Sequence, residues 1–447
     1  MNRLENELKT EYRRLLKLRK SNDRVGESDT LDNIGHLCHF MGRFEEALQA
    51  LQQSLIICRE IGDIKGEGSV LNNISQIYQS QGKYDEAVRH LEQSLRIDRE
   101  VGNRKGEGAV LLNMGSIYVS MGRYNEALEN LQKSLNICRE IGDREGEGFN
   151  LIHIGQVYSA WGRNSEALEN LNLSLDICRE NGDRVGEATV LNDIGLIFGY
   201  KGMYDEALKY LRKSLSITRE IGDRSSLGSS LNNISQIYDS WGKYDEALDF
   251  LQQSLAISRE IGDRSSESSS LGNIGSIYHE LGRYNEAMEY QQKSLEIRRE
   301  IGNRSGEGTA LNNIGLIHQS EGNYDEALNY FEQSLMIIRE IGDRVHEGNT
   351  LNNIGLVYDS KDMFDEALKY YFKSLEISIE TEDISGEAIS RYSIGRIYSQ
   401  QKRLHEAIEM FEIVVDIGRR TKSPNLMDDV KFLNELKRKL SKSERKF

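Results

Sequence analysis

The chain has 447 residues, of which 57 are Lys or Arg and 72 are Asp or Glu, so its formal net charge is −15 at pH 7. This acidic balance argues against a general nucleic-acid-binding protein, which needs a basic surface. The sequence contains a single proline, against roughly 5% in ordinary proteins. Such scarcity argues against β-sandwiches and proline-rich linkers and favours long helices joined by glycine turns.

The N-terminal segment is charged throughout. Its first ten residues, MNRLENELKT, lack the apolar core of a secretory signal peptide. No apolar run in the sequence approaches the roughly 20 residues of a membrane span. Residues 3–20 align with the second helix of the repeat that follows, so residues 1–23 are predicted to form an N-terminal capping helix.

A 40-residue repeat occupies most of the sequence. The segment LNNIGLIHQSEGNYDEALNYFEQSLMIIREIGDR (311–344) recurs every 40 residues, without an insertion, from residue 24 to about residue 423. This period indicates ten copies of one supersecondary unit. No linker or change in composition interrupts them, so residues 24–423 are predicted to form one continuous array.

Each copy contains two helical patterns. In the third copy Leu111, Met114 and Tyr118 share one face of a first helix, and Ala127 and Leu131 begin the apolar stripe of a second. Glycines at fixed positions are predicted to end the helices in a left-handed conformation. An Asp or Asn beside the glycine is predicted to cap the next helix.

The C-terminal segment is predicted to be a second capping helix. Ser423 and Pro424 are typical of an N-cap and a first helical residue. An apolar stripe of five large side chains follows: Leu426, Val430, Leu433, Leu436 and Leu440. Residues 424–447 are therefore predicted to form a capping helix with a basic tail. We expect its cations to offset the helix dipole, although an anionic partner is the alternative.

The repeat resembles a known family. Leu/Ile-Gly-x-x-Tyr in the first helix and Tyr-x-x-Ala in the second are similar to the tetratricopeptide repeat (TPR) pattern. The key alanine is present in all ten copies: Ala47, Ala87, Ala127, Ala167, Ala207, Ala247, Ala287, Ala327, Ala367 and Ala407. The 40-residue period and the REIGDR-x-GE junction resemble the long-repeat class of LGN/Pins-type adaptors and many bacterial and archaeal proteins. The resemblance implies an all-α, right-handed superhelical solenoid of ten helix-turn-helix repeats, whose first helices line a concave groove.

Motifs for catalysis or cofactor binding are absent from the sequence. It contains no P-loop, no dinucleotide-binding glycine motif and no serine in a nucleophile elbow, so we expect a non-enzymatic protein without a cofactor. Asp32, His36 and His39 share one helical face, which would suit a metal, but solvated groove residues are the expected interpretation. The cysteines replace small residues of other copies, which favours a reduced, cytoplasmic compartment.

One position of the first helix, between its core residues, is asparagine in seven of the ten copies: Asn33, Asn73, Asn113, Asn233, Asn273, Asn313 and Asn353. Asparagine is a mediocre helix former, so its repeated presence in mid-helix indicates a purpose. A row of amides can donate to and accept from the backbone of an extended peptide, and the TPR resemblance implies that role. The alternative is that these amides form hydrogen bonds between neighbouring repeats.

Copies three to five have apolar side chains at groove positions where neighbouring copies have Asn, Gln or Ser. These are Leu112, Val119, Phe149, Ile152, Leu196 and Tyr200. Helical spacing predicts that they point toward the concave face, where clustered exposed apolar groups are typical of an interaction site. Leu112 and Leu196 have the alternative of packing sideways into the next repeat. A bound segment is therefore predicted to place apolar side chains against residues 112–200.

Two classes of function agree with this sequence. The first is an adaptor whose groove binds an extended peptide segment of a partner protein, or a regulatory or sensor subunit of a multiprotein system. The second is a structural or self-assembling solenoid, whose copies provide only length and curvature. Variation along the groove favours the first class, because a spacer has no reason to vary there. We expect a protein or peptide partner, no nucleic acid and no membrane span.

Overall fold

A computed structural model describes residues 2–421, 423 and 425–444, and these residues form 22 α-helices and no strand. The helices are α1 (Asn2–Ser21), α2 (Arg24–Phe40), α3 (Phe44–Ile61), α4 (Ile64–Ser80), α5 (Tyr84–Glu100), α6 (Arg104–Ser120), α7 (Tyr124–Ile141), α8 (Arg144–Ala160), α9 (Asn164–Asn181), α10 (Arg184–Tyr200), α11 (Tyr204–Ile221), α12 (Arg224–Ser240), α13 (Tyr244–Ile261), α14 (Arg264–Glu280), α15 (Tyr284–Glu300), α16 (Arg304–Ser320), α17 (Tyr324–Ile341), α18 (Arg344–Ser360), α19 (Phe364–Glu380), α20 (Ile384–Gln400), α21 (Leu404–Thr421) and α22 (Leu426–Glu444). The prediction of an all-α chain of helix-turn-helix repeats is confirmed.

Each even-numbered helix packs closely against the odd-numbered helix that follows it. In the hairpin of α6 and α7, Ala127 and Leu131 are completely buried. A Cβ atom added to Gly115 would lie 2.6 Å from Cγ of Leu131, closer than any real contact allows. The small residues of the repeat pattern are therefore required where the two helices cross.

The helix ends follow the predicted capping pattern. Gly142 ends α7 with a φ of 71°, in the left-handed region that glycine tolerates best. Asp143 then caps α8, where its side chain accepts a hydrogen bond of 2.9 Å from the backbone N–H of Gly146. Three turns of the last two copies keep the left-handed conformation with other residues, because Asp362, Glu382 and Lys402 have φ values of 57°, 54° and 62°.

The structure divides into two compact units, residues 1–310 and 311–447. The sequence predicts one continuous array, and the division falls inside α16 instead of at a change in composition. Within the first unit, successive even-numbered helices from α2 to α14 contact one another as well as their hairpin partners. In the second unit α18 contacts α20 in the same way. The first helices of neighbouring repeats therefore lie side by side.

One contact in the first unit joins turns that are far apart in sequence. A Cβ atom added to Gly42 would lie 3.2 Å from Cβ of Ile301, and one added to Gly302 would lie 3.3 Å from the ring of Phe44. Ile301 is 8% exposed, whereas its equivalent Ile141 is 42% exposed. The first unit therefore curves far enough to bring its first repeat against the turn before α16, and the repeat pattern does not predict this contact.

The terminal helices cover the apolar faces of the repeats beside them. Leu8 and Leu15 of α1 are buried in the core cluster that contains Leu31. At the other end Leu433 and Leu436 of α22 are buried in a cluster with residues of α19–α21. Met1, Lys422, Pro424 and residues 445–447 lie outside the described residues, so the predicted N-terminal proline of the last helix and the end of the basic tail do as well.

Candidate functional site

The first unit presents a continuous surface where its even-numbered helices lie side by side. Six residues of α2 define it: Asp29, Asp32, Asn33, His36, His39 and Phe40. The residues at the same positions of α4, α6, α8, α10, α12 and α14, each 40 further along, complete what we call the inner surface. Most of these side chains are exposed or partly buried, so they are accessible to a partner.

Amides of the predicted asparagine row form hydrogen bonds between neighbouring repeats. In each case Nδ2 donates to the side chain one residue earlier in the preceding repeat: Asn73 to Asp32 at 2.9 Å, Asn113 to Asn72 at 2.8 Å, Asn273 to Asn232 at 2.9 Å and, in the second unit, Asn353 to Asn312 at 3.0 Å. This geometry corresponds to the structural alternative for the asparagine row. The Oδ1 atoms of the four donors accept no hydrogen bond from the described residues, so their acceptor capacity is left over.

The other three asparagines are placed differently. Asn33 lies beside α1, where an open cleft of about 820 Å³ is lined by Thr10, His36 and other side chains of α1 and α2. Asn233 and Asn313 form no side-chain hydrogen bond within the described part of the chain. The row is therefore not uniform: Gly272 offers Asn313 no side-chain acceptor, whereas Asn233 forms no bond with the described residues although Asn192 stands at the acceptor position.

Two residues of the predicted apolar group are exposed on the inner surface. Phe149 of α8 is 43% exposed and Tyr200 of α10 is 69% exposed. Phe40, at the position of α2 that corresponds to Tyr200, is 70% exposed and was not singled out by the sequence pattern. Its position at the end of the first helix was the available signal. Large exposed aromatic side chains of this kind are frequent anchors in interfaces.

The remaining apolar residues contribute to the hydrophobic core. Ile152 occupies an inner-surface position, but it is 4% exposed and belongs to a core cluster with residues of α9 and α10, so its side chain is not accessible to a partner. Leu112 and Val119 are partly buried against the core cluster of α7 and α8, and Leu196 is partly buried. The residue at the position of Ile152 faces the first helix of the following repeat. Sequence spacing alone does not show how closely that helix approaches.

Asp193 gives the inner surface an unusual electrostatic feature in the place of an asparagine. Nε2 of Gln156 donates to its Oδ2 at 2.8 Å. Burial raises the pKa of Asp193 to about 6, and this neutral donor only partly opposes the effect. Reduced hydration, followed by the charge of Asp193, also raises the pKa of Tyr200 on the same helix, although this side chain is largely exposed. Burial lowers the pKa of His153 on α8. The carboxyl group therefore lies in a poorly solvated part of the surface.

The histidines of α2 do not converge on a metal-binding geometry. Nε2 of His36 lies 3.5 Å from Oδ2 of Asp32, and this carboxylate raises the pKa of the imidazole. His39 instead places Nε2 2.8 Å from Oγ of Ser80 in the next repeat. Across the described ranges, no group of three His, Cys, Asp or Glu side chains is arranged to hold a metal ion. Within the same ranges, no helix combines the length and apolar character that crossing a membrane requires.

Solved structures with a similar fold include repeat proteins of signalling systems. The apo form of the quorum sensor NprR from B. thuringiensis is 16% identical, with 75% of this chain and 97% of that chain covered and a TM-score of 0.48. A Rap protein complexed with competence and sporulation factor is 14% identical, with coverages of 76% and 99% and a TM-score of 0.47. A signal-transduction ATPase with a tetratricopeptide repeat sensor from Pyrococcus horikoshii is 16% identical, with coverages of 80% and 55% and a TM-score of 0.47. At these identities the likeness concerns the fold alone.

Sequence comparison gives a more specific result. A comparison with curated proteins found no significant match. The sequence model of the family described as Tetratricopeptide repeat matches residues 26–100, 107–180, 186–260, 242–300, 266–340, 306–380 and 346–420. These matches span most of the chain and coincide with the helical hairpins. The chain therefore belongs to the tetratricopeptide repeat family.

Proposed function

We propose that this protein is a non-enzymatic scaffold, built from ten repeats, that binds an extended segment of a partner protein along the inner surface. The proposal is carried by the acceptors that the asparagine row leaves over. Oδ1 atoms of Asn73, Asn113 and Asn273 accept no hydrogen bond from the described residues. Backbone N–H groups of an extended segment are suitable donors for them. Family membership supports the proposal, because tetratricopeptide repeats are generally non-catalytic interaction scaffolds.

Exposed aromatic side chains supply apolar contacts beside these acceptors. Phe149 and Tyr200 lie on neighbouring first helices, where a bound segment would cover them. Leu196 extends this apolar area, while Leu112 and Val119 support it from the core side. Truncating an aromatic anchor buried in an interface typically costs about 2 kcal/mol or more, which makes these rings the most informative residues to change.

The test is capture of partner proteins from an extract of the native host, followed by quantitative mass spectrometry. The double variant Phe149→Ala and Tyr200→Ala should recover the bound partner at roughly one-tenth of the wild-type level. Leu173→Ala serves as the matched control, because Leu173 is 50% exposed on α9 and lies outside the inner surface. The control should capture the partner normally.

Two results would contradict the proposal. Equal capture by the wild-type protein and the double variant would mean that the inner surface is not the binding site. Recovery of the chain itself as the predominant captured protein, with assembly lost in the Leu173 variant, would favour the structural or self-assembling solenoid. Circular dichroism of each variant separates lost binding from lost folding.

A further inference from the structure

The inner surface of the first unit carries negative charge without any compensating Lys or Arg. Its 42 positions include five carboxylates: Asp29, Asp32, Asp193, Asp239 and Glu280. None of these positions is Lys or Arg, although the whole chain has 57 such residues against 72 Asp and Glu. The electrostatic field along this surface therefore favours cationic groups, because the Lys and Arg residues of the chain lie elsewhere.

The buried glutamates at the junctions between repeats are compensated differently. Glu107 is 7% exposed and is held between Arg99 at 2.8 Å and Arg104 at 2.6 Å. Burial opposes ionisation of Glu107, but the two guanidinium groups prevail and lower its pKa. In several other repeats, two arginines at the equivalent positions surround the equivalent glutamate. A buried glutamate at a junction therefore normally pairs with two arginines of the chain itself.

Asp193, in the middle of the inner surface, is not compensated by arginines in this way. Its only hydrogen-bond donor among the described residues is the neutral amide of Gln156, and its Oδ1 accepts nothing. No Lys or Arg lies close enough to influence its ionisation. Asp193 is partly buried, and an ionised carboxylate that loses part of its hydration is costly unless a cation or further donors compensate it. The described residues therefore provide no counter-ion for Asp193.

The neighbouring side chains suit an organic cation. Tyr200 lies seven residues after Asp193, which is about two helical turns along the same face of α10, and it is 69% exposed. Phe149 of α8 is exposed on the adjacent helix, where Gln156 links α8 to Asp193. Aromatic faces attract guanidinium and ammonium groups, most strongly where water is partly excluded.

We propose that the inner surface of α8 and α10 is a subsite for a Lys or Arg side chain of the bound segment, which pairs with Asp193 on the face of α10 that also carries Tyr200. This inference rests on the proposed function, because it names the chemistry of the segment that the inner surface binds. The remaining carboxylates of the surface extend the preference to segments with a positive net charge. The partner is thus an extended peptide with at least one basic residue.

The test uses a phage-displayed library of random 12-residue peptides, selected on the immobilised full-length protein. Wild-type protein should enrich peptides that contain Lys or Arg. Asp193→Asn should reduce this enrichment about tenfold while still selecting peptides. Asn is native at the equivalent position of seven copies, so the variant should fold. Asp193→Lys should reverse the preference toward Asp and Glu.

Asp176→Asn is the matched control, because Asp176 is exposed on α9 away from the inner surface. The control should keep the wild-type preference. If the wild-type protein selects peptides without favouring basic residues, or if Asp193→Asn keeps that preference, the subsite is refuted while the peptide-binding proposal stands. If no peptide is enriched over a surface without protein, the peptide-binding proposal itself is refuted.

Discussion

The first turn and the middle of α10 treat a carboxylate in opposite ways. Glu187, at the junction between repeats, is 8% exposed and lies 2.9 Å from Nε of Arg179 and 2.6 Å from Nη1 of Arg184. Burial alone would raise its pKa, but the two arginines lower it. Asp193, six residues later on the inner surface, has one neutral donor, and its pKa is raised to about 6.

This contrast distinguishes a carboxylate that is neutralised within the protein from one that has no cationic partner among the described residues. The junction motif recurs through the chain and is neutralised internally, so it stabilises the array without needing anything else. Asp193 interrupts the asparagine row, and the chain does not neutralise it. Natural proteins tend to depart from local rules at functional sites. The difference between these two carboxylates therefore supports the proposal that the inner surface binds a partner.

The largest effect should follow removal of both cations from the junction. Arg179→Ala with Arg184→Ala leaves Glu187 with little water and no counter-ion, which is strongly destabilising. Backbone amides of residues 184–200 should then exchange with solvent roughly a hundredfold faster, as measured by hydrogen exchange and mass spectrometry.

The junction before α12 provides a matched control, because Leu227 replaces the glutamate there. Arg219→Ala with Arg224→Ala removes the same two cations without leaving a buried carboxylate. Exchange in residues 224–240 should accelerate by less than about threefold, since exposed ion pairs contribute little. Equal effects at the two junctions would show that the buried glutamate is not the cause.

The second prediction concerns pH. The pKa of Asp193 is about 6 in the folded protein against a usual 3.8, so its ionisation opposes folding at neutral pH and this penalty disappears as the pH falls. Asp193→Asn should raise the free energy of unfolding by about 2 kcal/mol near pH 7.5. The difference from the wild-type protein should decline below pH 6 and vanish near pH 4. His153 on α8 and Tyr200 on α10 are present in both proteins, so their own titrations largely cancel from the difference.

Glu187→Gln should behave with the opposite sign. The pKa of Glu187 is lowered in the folded state from its usual 4.5. The ionised side chain therefore stabilises the protein at pH values above 4.5, and this contribution is lost as the pH falls through the lowered pKa. The variant should therefore be less stable than the wild-type protein at neutral pH and equal to it in acid. Thermal unfolding followed by circular dichroism at each pH would measure both differences. Parallel pH profiles for the two variants would contradict the comparison.

The smallest effect should come from the neutral donor. Gln156→Ala removes the one hydrogen bond that Asp193 accepts from the described residues, which should lower the free energy of unfolding by about 1 kcal/mol near neutral pH. In a background with Asp193→Asn the same change should cost less, because the acceptor is no longer charged. A double-mutant cycle measures this coupling. Additive effects of the two substitutions would show that the side chains of Gln156 and Asp193 are not coupled energetically.

Much of the fold follows from the sequence, but only part of the candidate site does. The period of 40, the small residues at helix crossings and the glycine turns predict the hairpins, because each acts through neighbours close in sequence. Helical spacing also places Phe149 and Tyr200 correctly on an exposed face. It does not distinguish Ile152, which is buried by the following repeat, because the same helical face meets solvent in one part and the next helix in another.

Local sequence by itself determined the helices, their caps and the family of this protein, since hydrogen bonds and steric fit within a repeat are short-range. Tertiary structure alone decided which polar groups remain available. Only the stacking of first helices shows that Asn113 donates to Asn72 and that Asp193 receives a single donor. The approach of Gly42 to Ile301 likewise depends on curvature accumulated over several repeats. Small rotations between repeats add up along the array, and no single repeat encodes their sum.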